Sequence, residues 1–278
     1  MEPIIAAATE YNIHSYSPFL IKFSESFGIR YYGLSYVLGF LSGLWLLARY
    51  HKNGLSPFDA DQRTDIFFTL MVGVIVGGRL GFFLFYQSAS LVQDPLALFR
   101  VWEGGMASHG GFIGVAGATW WTARKYKVSF WQVADLFCSL SPAGLLLGRL
   151  ANFMNGELWG KVTDVSWAWI FPKDPTGLPR HPSQLYEAGL EGFFMLLYSQ
   201  WRIWFTPVLK DAPGRLVGEF LFLYAIVRII GEQYREPDEG IELLFGMMSR
   251  GTTLSIAMAI VGLLIALTRS KTKKSSTS

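Results

Sequence analysis

The sequence has little charge and only one cysteine. Of its 278 residues, 16% are Asp, Glu, Lys or Arg, while 51% are hydrophobic and 16% aromatic. With a mean hydropathy of +0.30, this composition excludes an ordinary soluble domain. The single Cys138 excludes an internal disulfide, and its apolar neighbours indicate an inert packing thiol. The chain is therefore expected to lie in a lipid bilayer.

Several sequence motifs of known chemistry are also missing. There is no His-Glu-x-x-His, Gly-x-Ser-x-Gly, Cys-x-x-Cys, P-loop or helix-opening Gly-x-Gly-x-x-Gly, so zinc hydrolysis, serine hydrolysis, thiol redox work and nucleotide use lack support. The net charge of +3 is spread over short loops, which does not indicate a nucleic-acid partner. Residues 1–30 lack a basic start followed by an apolar core, so a retained N-terminal arm is expected instead of a signal peptide.

Seven apolar stretches approach the roughly 20 residues that a helix needs to cross hydrocarbon. They lie at about 31–49, 66–86, 106–123, 132–153, 185–205, 214–232 and 251–268. The sequence therefore predicts an all-α integral membrane protein, a bundle of seven transmembrane helices over 31–268. A small extracytoplasmic head (154–184), the N-terminal arm (1–30) and a basic cytoplasmic tail (269–278) complete the predicted organisation.

Lys and Arg are unequally distributed between alternate loops. Thirteen fall on one side of the predicted bundle and eight on the other. Because cytoplasmic loops are enriched in these residues, the richer side, which includes the tail Lys271–Lys274, is expected to be cytoplasmic. The N-terminus and the head are then periplasmic. The remaining three of the 24 basic residues lie within spans; they are Arg79, Arg149 and Arg228.

These three intramembrane arginines need a compensating role, because each costs at least about 2.5 to 3.5 kcal/mol on insertion scales. All three fall in the outer halves of their predicted helices, at the level where Tyr32 and His109 begin other spans and where His181-Pro182-Ser183-Gln184, with Glu187, begins the fifth. This shared depth favours one outward-facing polar cavity with a function. The alternative is that each arginine pairs with a carboxylate for folding alone; the available partners are Glu187, Glu191 and Glu232.

Polar groups are concentrated in residues 148–160, at the end of the fourth span. Arg149 and Asn152 are three residues apart and share a helix face, while Asn155-Gly156 predicts a helix stop that turns Glu157 back towards that face. Such a face suits an anion. A capped helix end with a snorkelling arginine is the alternative, but it leaves Asn152 and Glu157 unexplained.

The sixth span has a polar stripe. Tyr224, Arg228 and Glu232 recur at four-residue spacing, which places them on one face of an otherwise apolar helix. This stripe indicates a site that extends beyond the fourth span. The alternative is an intrahelical Arg228–Glu232 pair that only stabilises the helix.

Glycines accompany the polar residues of the second and third spans. The spacing Gly73-x-x-x-Gly77-x-x-x-Gly81 predicts close helix packing around Arg79, so Arg79 either contacts a ligand or supports residues that do. The third span opens with His109-Gly110-Gly111. A histidine there can exchange protons near neutral pH, and the alternative is a hydrogen-bonded structural residue.

Taken together, these segments resemble the prolipoprotein diacylglyceryl transferases, a family of bacterial inner-membrane enzymes. Residues 148–160 look like the family signature. Ala151, Met154 and Lys161 are conservative departures from the usual Gly, Ile and Arg, and none removes a group expected to do chemistry. The resemblance extends to further segments at 31–34, 77–81, 99–106, 108–111, 180–187 and 228–232.

The resemblance implies transfer of the diacylglyceryl group of phosphatidylglycerol to the lipobox cysteine of a preprolipoprotein, with no metal or organic cofactor. The expected partners are the bilayer, phosphatidylglycerol and the lipobox segment. Arg149 and Arg228 are the expected phosphate clamp, and His109 is the expected base. Supporting contacts to the head group or the arginines are expected from Tyr32, Arg79, Asn152, Glu157 and Glu232.

A transporter or channel for an anionic solute or lipid is the competing class, because intramembrane arginines also line substrate pathways. Two features of the sequence weigh against this alternative. The polar residues concentrate in one half of the bundle, and the seven unequal spans show no obvious inverted repeat.

Overall fold

The computed structural model describes residues 11–24, 27–88, 93–100, 105–236 and 250–270. Most of them are helical, as predicted. The beginning of the predicted arm, most of the predicted basic tail and the side chain of His109 lie outside the described residues. Their predicted roles are therefore untested by the fold.

A helix is present at each of the seven predicted positions. Four segments are long and apolar enough to cross a membrane: Tyr31–Lys52, Ala60–Leu84, Phe130–Asn155 and Gly251–Thr268. The structure thus supports a mostly helical membrane protein, and the count of seven spans stays a prediction. The helices are α1 (Tyr31–Lys52), α2 (Ala60–Tyr86), α3 (Ser108–Tyr126), α4 (Phe130–Asn155), α5 (Ser183–Glu187), α6 (Met195–Phe205), α7 (Val208–Asp211), α8 (Arg215–Glu232) and α9 (Arg250–Thr268).

Two irregular helical segments complete this framework. A 3₁₀ turn, Pro95–Phe99, lies between α2 and α3. A π-helical segment, Ala188–Phe194, joins α5 directly to α6. Because a π-helix changes the angular spacing of its side chains and is frequent at functional sites, this segment bears directly on the site described below.

The arm and the head contain strands, which the prediction of an all-α chain missed. In one sheet β1 (Asn12–Ile13) runs parallel to β4 (Trp169–Ile170), which pairs antiparallel with β5 (Pro179–Arg180). In the other, β2 (Phe19–Lys22) and β3 (Gly28–Arg30) form an antiparallel pair. Strands of two to four residues are too short to produce a recognisable alternation of apolar and polar residues.

The second and third helices pack closely through facing glycines. A Cβ added to Gly73 would lie 2.7 Å from the carbonyl oxygen of Gly114, and one added to Gly81 would lie 2.6 Å from the Cα of Gly110. Neither position has space for a side chain. This confirms the close packing predicted from the glycine spacing.

A buried carboxylate fixes α8 against α4. Asp135 is fully buried, and its two oxygens accept the N–H groups of Gly214 and Val217 at 2.7 and 2.8 Å. Those groups begin α8 and would otherwise lack partners, as the first N–H groups of any helix do. The contact sets the position of α8, and hence of Arg228, relative to α4.

Candidate active site

Arg149 and Arg228 converge on the same two glutamates. Glu187 Oε2 forms an ion pair with Arg149 Nη1 at 2.9 Å, and its Oε1 accepts a hydrogen bond from Arg228 Nη1 at 2.7 Å. Glu191 accepts Arg149 Nη2 at 2.9 Å and Arg228 Nη1 at 3.1 Å in the same way. Both glutamates have an exposure of 0%. We call Arg149, Glu187, Glu191 and Arg228 the ion cluster.

Three elements supply these four side chains. Arg149 comes from the last two turns of α4, Arg228 from α8, and the glutamates from the end of α5 and the π-helical segment. Because Glu187 and Glu191 flank the start of the π-helical turn, both carboxylates face the arginines. The local helical irregularity therefore coincides with the acidic half of the ion cluster.

Further charged groups extend the ion cluster. Arg228 Nη2 lies 2.7 Å from Glu232, and Arg235 Nη1 lies 3.4 Å from Glu187. Among the described residues, these three arginines and three glutamates carry equal and opposite charge, which lowers the cost of burying them. The carboxylate pairing considered for folding alone is thus present, and it also holds Arg149 and Arg228 together.

Arg149 reaches one end of a large cavity. The cavity has a volume of ≈ 590 Å³, within the range of about 300–1,000 Å³ typical of ligand sites. Apolar side chains such as Leu47 and Leu140 form most of its wall. Its polar lining includes four side chains that belong to α1, α4 and α8: Tyr32, Arg149, Asn152 and Tyr224. The cavity is therefore amphipathic, like a lipid.

The end of α4 places Glu157 beside this polar lining. The helix ends at Asn155, and Gly156 takes a left-handed conformation with φ +59°, which glycine adopts without steric cost. The chain then turns back, and Glu157 Oε1 accepts the side-chain amides of Asn152 and Asn155 at 2.9 and 3.2 Å. This confirms the predicted helix stop and the predicted return of Glu157.

Arg79 is engaged differently from Arg149 and Arg228. It is 4% exposed and donates to main-chain carbonyls of the loop between α2 and α3. This arrangement makes Arg79 an anchor for that loop, and its predicted contact with the substrate stays a prediction. The distances to the carbonyl oxygens of Ala97, Arg100, Gly105 and Leu98 are 2.6, 2.9, 3.1 and 3.3 Å.

His109 lies in the first turn of α3. Since the described atoms do not include its side chain, its predicted role as a base remains a prediction. Within the described ranges, no group of three or more His, Cys, Asp or Glu side chains is placed to hold a metal ion.

The head is held by ionic and hydrogen-bonded contacts next to the ion cluster. Arg180 is 6% exposed and contacts Asp174 at 2.7 Å and Glu236 at 2.9 Å. Burial raises the pKa of Asp174, but hydrogen bonds from Arg180 and Thr176 outweigh it and hold that pKa below its ordinary value. The head is thereby tied to the chain that follows α8.

The sequence placed Ser183, Gln184 and Glu187 among the segments expected to converge on the polar cavity, and it offered Glu187 and Glu191 as arginine partners, but it gave none of these four residues a contact of its own. All four are fully buried. Their one signal in the sequence is a run of polar residues at the start of an apolar span, within His181-Pro182-Ser183-Gln184 and the helix that follows. That signal marks a region but does not identify the residues that the polar groups contact.

The fold and this site define a class: a helical membrane protein in which one arginine lines an apolar cavity and shares two buried carboxylates with a second arginine, an arrangement suited to a lipid with an anionic head. The family profile described as prolipoprotein diacylglyceryl transferase matches residues 18–268. The chain therefore belongs to the prolipoprotein diacylglyceryl transferase family.

Three relatives named phosphatidylglycerol–prolipoprotein diacylglyceryl transferase illustrate the similarity. The protein of Bradyrhizobium diazoefficiens is 44% identical over 259 residues, which cover 90% of each chain. That of Pasteurella multocida is 48% identical over 242 residues, 86% of this chain and 87% of the relative. The protein of Vibrio cholerae is 45% identical over 238 residues, 85% of this chain and 86% of the relative.

Proposed function

We propose that this protein transfers the diacylglyceryl group of phosphatidylglycerol to the lipobox cysteine of preprolipoproteins, as the names of its relatives indicate for those proteins. The cysteine sulfur forms a bond to the glyceryl carbon that carries the phosphate ester. The bond between that carbon and the ester oxygen breaks. The thiol loses its proton, and glycerol phosphate leaves.

The observation that carries this proposal is the position of Arg149, which lines the cavity while shared buried carboxylates join it to Arg228. The phosphodiester of phosphatidylglycerol has one negative charge, and guanidinium groups bind phosphate oxygens in a bidentate manner. The apolar walls suit the acyl chains. As the ester bond breaks, negative charge grows on the leaving oxygen, and arginines held in place stabilise it.

The thiol must become a thiolate to attack, since the thiolate is the nucleophilic form and a free cysteine has a pKa of about 8.5. We assign this proton transfer to His109, near the start of α3. Tyr32, Asn152, Glu157 and Glu232 orient the head group and the arginines. Arg79 supports the site by anchoring the loop that leads into α3.

The site is proposed to face the periplasmic leaflet of a bacterial inner membrane. Seven helices then cross the bilayer, with the arm and the head on the periplasmic side and the basic tail in the cytoplasm. The unequal distribution of Lys and Arg between alternate loops supports this orientation.

Purified protein in lipid nanodiscs tests the function directly. With phosphatidylglycerol and a lipobox peptide, mass spectrometry should find the peptide heavier by one diacylglyceryl group attached to sulfur. Nanodiscs made of phosphatidylethanolamine alone should give no product. Absence of thioether in both lipids would contradict the proposal, and a flux of anionic solutes into liposomes would favour the transporter alternative.

A further inference from the structure

The residue that follows Glu157 has an unfavourable backbone conformation. Leu158 has φ +58°, in the left-handed region that a bulky side chain rarely adopts because its Cβ crowds the main chain. Such conformations persist where surrounding contacts hold them, and they cluster at functional sites. This one lies next to a carboxylate that contacts Asn152, a residue of the cavity lining.

The contacts that hold this turn come from the start of α5. The side-chain amide of Gln184 donates to the carbonyl oxygen of Glu157 at 2.7 Å, and the hydroxyl of Ser183 donates to that of Leu158 at 3.1 Å. Both side chains have an exposure of 0%. Two adjacent, fully buried donors therefore bind the carbonyl that precedes Leu158 and the carbonyl of Leu158 itself.

A third contact extends this pairing. The N–H of Gly160 donates to the carbonyl of His181 at 2.9 Å, and a Cβ on Gly160 would lie 2.7 Å from that same carbonyl oxygen. The segments 157–160 and 181–184 thus lie against each other with no space between them. The turn cannot change its backbone conformation without breaking contacts in both segments.

We propose that Gln184 and Ser183 are positioning residues for the reaction: they hold the Glu157–Leu158 turn so that the Glu157 carboxylate stays on Asn152. Neither needs to touch the substrate. Their effect passes through the main chain of Glu157 to its side chain, and from there to the amide of Asn152 beside Arg149. The catalytic part of this inference rests on the proposed function.

The first test measures whether removal of the Gln184 donor costs less stability once the strained Leu158 is replaced by glycine. Gln184→Met keeps the approximate size of the side chain and removes the hydrogen bond to Glu157, so the melting temperature should fall. This loss should be smaller in a Leu158→Gly background than in the parent, because glycine adopts a positive φ without steric cost and does not need the Gln184 donor to hold it. Gln200→Met is a matched control, since the Gln200 amide also donates to a main-chain carbonyl, that of Ser139 at 3.2 Å. Gln200→Met should lower the melting temperature by the same amount in the parent and in the Leu158→Gly background.

The second test measures transfer. Gln184→Met should lower kcat about tenfold, the order expected when a buried hydrogen-bond partner is lost. In a Glu157→Gln background the same change should lower kcat little further, since residues that act through one another are not additive. Gln200→Met should leave kcat within about a factor of two, because the Gln200 side chain contacts Tyr50, Ser139 and Trp204, and changes at sites with no shared partners act independently.

The two tests fail separately. If Leu158→Gly lessens the cost of Gln200→Met as much as that of Gln184→Met, or lessens neither cost, the inference is overturned whether or not the protein is active. If the two changes at Gln184 and Glu157 reduce kcat independently, the positioning role is overturned while transfer stands. A parent protein that makes no thioether would overturn the proposed function, and the melting temperatures would still decide whether the turn is held as described.

Discussion

Two groups of arginine and glutamate side chains occur in this helical bundle. In the ion cluster, Arg149 and Arg228 share Glu187 and Glu191. In the other, which we call the Glu219 cluster, Glu219 binds Arg202 at 2.7 Å and Arg215 at 2.8 Å, and it accepts the Tyr198 hydroxyl at 2.9 Å. Both groups join separate segments of chain through charged hydrogen bonds, so the residue types alone do not distinguish them.

Burial of the arginines does not distinguish the two groups either. The side chains of Arg149 and Arg202 are 16% and 14% exposed. The carboxylates do differ, since Glu187 and Glu191 are fully buried whereas the Glu219 side chain is 16% exposed. A fully buried carboxylate is costly unless it is well paired, which favours a firm hold on the arginines of the ion cluster.

The adjoining cavities differ more clearly. A smaller cavity of ≈ 360 Å³ has both Arg215 and Glu219 in its wall, so a carboxylate there offsets the positive charge of the arginine. Among the described residues that line the ≈ 590 Å³ cavity there is no Asp or Glu, and Arg149 is its charged side chain. The difference between the two cavities is therefore that Arg149 faces its cavity while its carboxylate partners lie outside the wall, which is the arrangement that the proposed phosphate site requires.

The largest expected difference between the two groups is in catalysis. Arg149→Gln should lower transfer by about 100- to 1,000-fold, the effect of removing a preorganised stabiliser of developing charge. Arg202→Gln is the matched control because its burial is similar, and it should leave transfer within about a factor of three. Rates of thioether formation in nanodiscs check both variants. Equal losses would mean that the ion cluster is no more catalytic than the Glu219 cluster.

A second prediction asks whether proton transfer belongs to the same region. His109→Gln should lower transfer about 100-fold, since glutamine can hydrogen-bond but cannot accept the thiol proton. Raising the pH should restore part of the rate, because the peptide thiol then ionises without help. Full activity of the variant near pH 7 would assign His109 a structural role only.

A third prediction compares the carboxylates through stability. Glu191→Gln leaves two buried guanidinium groups with one partner fewer and should reduce the free energy of unfolding by about 3 kcal/mol, as expected for breaking a buried ion pair. Glu219→Gln should cost less, because the Glu219 side chain is 16% exposed and water can solvate the arginines that lose their partner. Thermal unfolding in detergent measures both. A larger loss for Glu219→Gln would reverse the ranking drawn from burial.

The smallest effect is expected at the edge of the Glu219 cluster. The Arg215 side chain is 39% exposed, and such pairs contribute about 0–1 kcal/mol. Arg215→Gln should therefore shift the melting temperature slightly, and the shift should shrink at high salt because exposed charges are screened. A large shift that salt does not alter would show that Arg215 is bound more firmly than its exposure indicates.

Much of the helical framework could be predicted, because the length and hydropathy of an apolar run locate a helix without knowledge of its partners. For example, the predicted fifth span at 185–205 falls within the continuous helical stretch that begins at Ser183 and ends at Phe205. The return of Glu157 was predictable for a similar reason, since glycine at a helix end permits the left-handed turn. In each case the signal is local in sequence.

The partners of the charged groups could not be predicted, because they depend on contacts between distant segments. Sequence spacing predicts the Arg228–Glu232 pair within α8, and the structure has it. That Arg228 also shares Glu187 and Glu191 with Arg149 depends on the π-helical segment, which no local pattern predicts. The carbonyl contacts of Arg79 likewise depend on the path of a loop.

The most direct test of the central claim is a structure of this protein with phosphatidylglycerol bound. The account predicts the lipid phosphate at about 3 Å from guanidinium nitrogens of both Arg149 and Arg228, the usual length of a charge-assisted hydrogen bond. Its acyl chains should follow the apolar wall of the ≈ 590 Å³ cavity. A phosphate bound elsewhere, with both arginines still fully engaged by Glu187 and Glu191, would contradict the account.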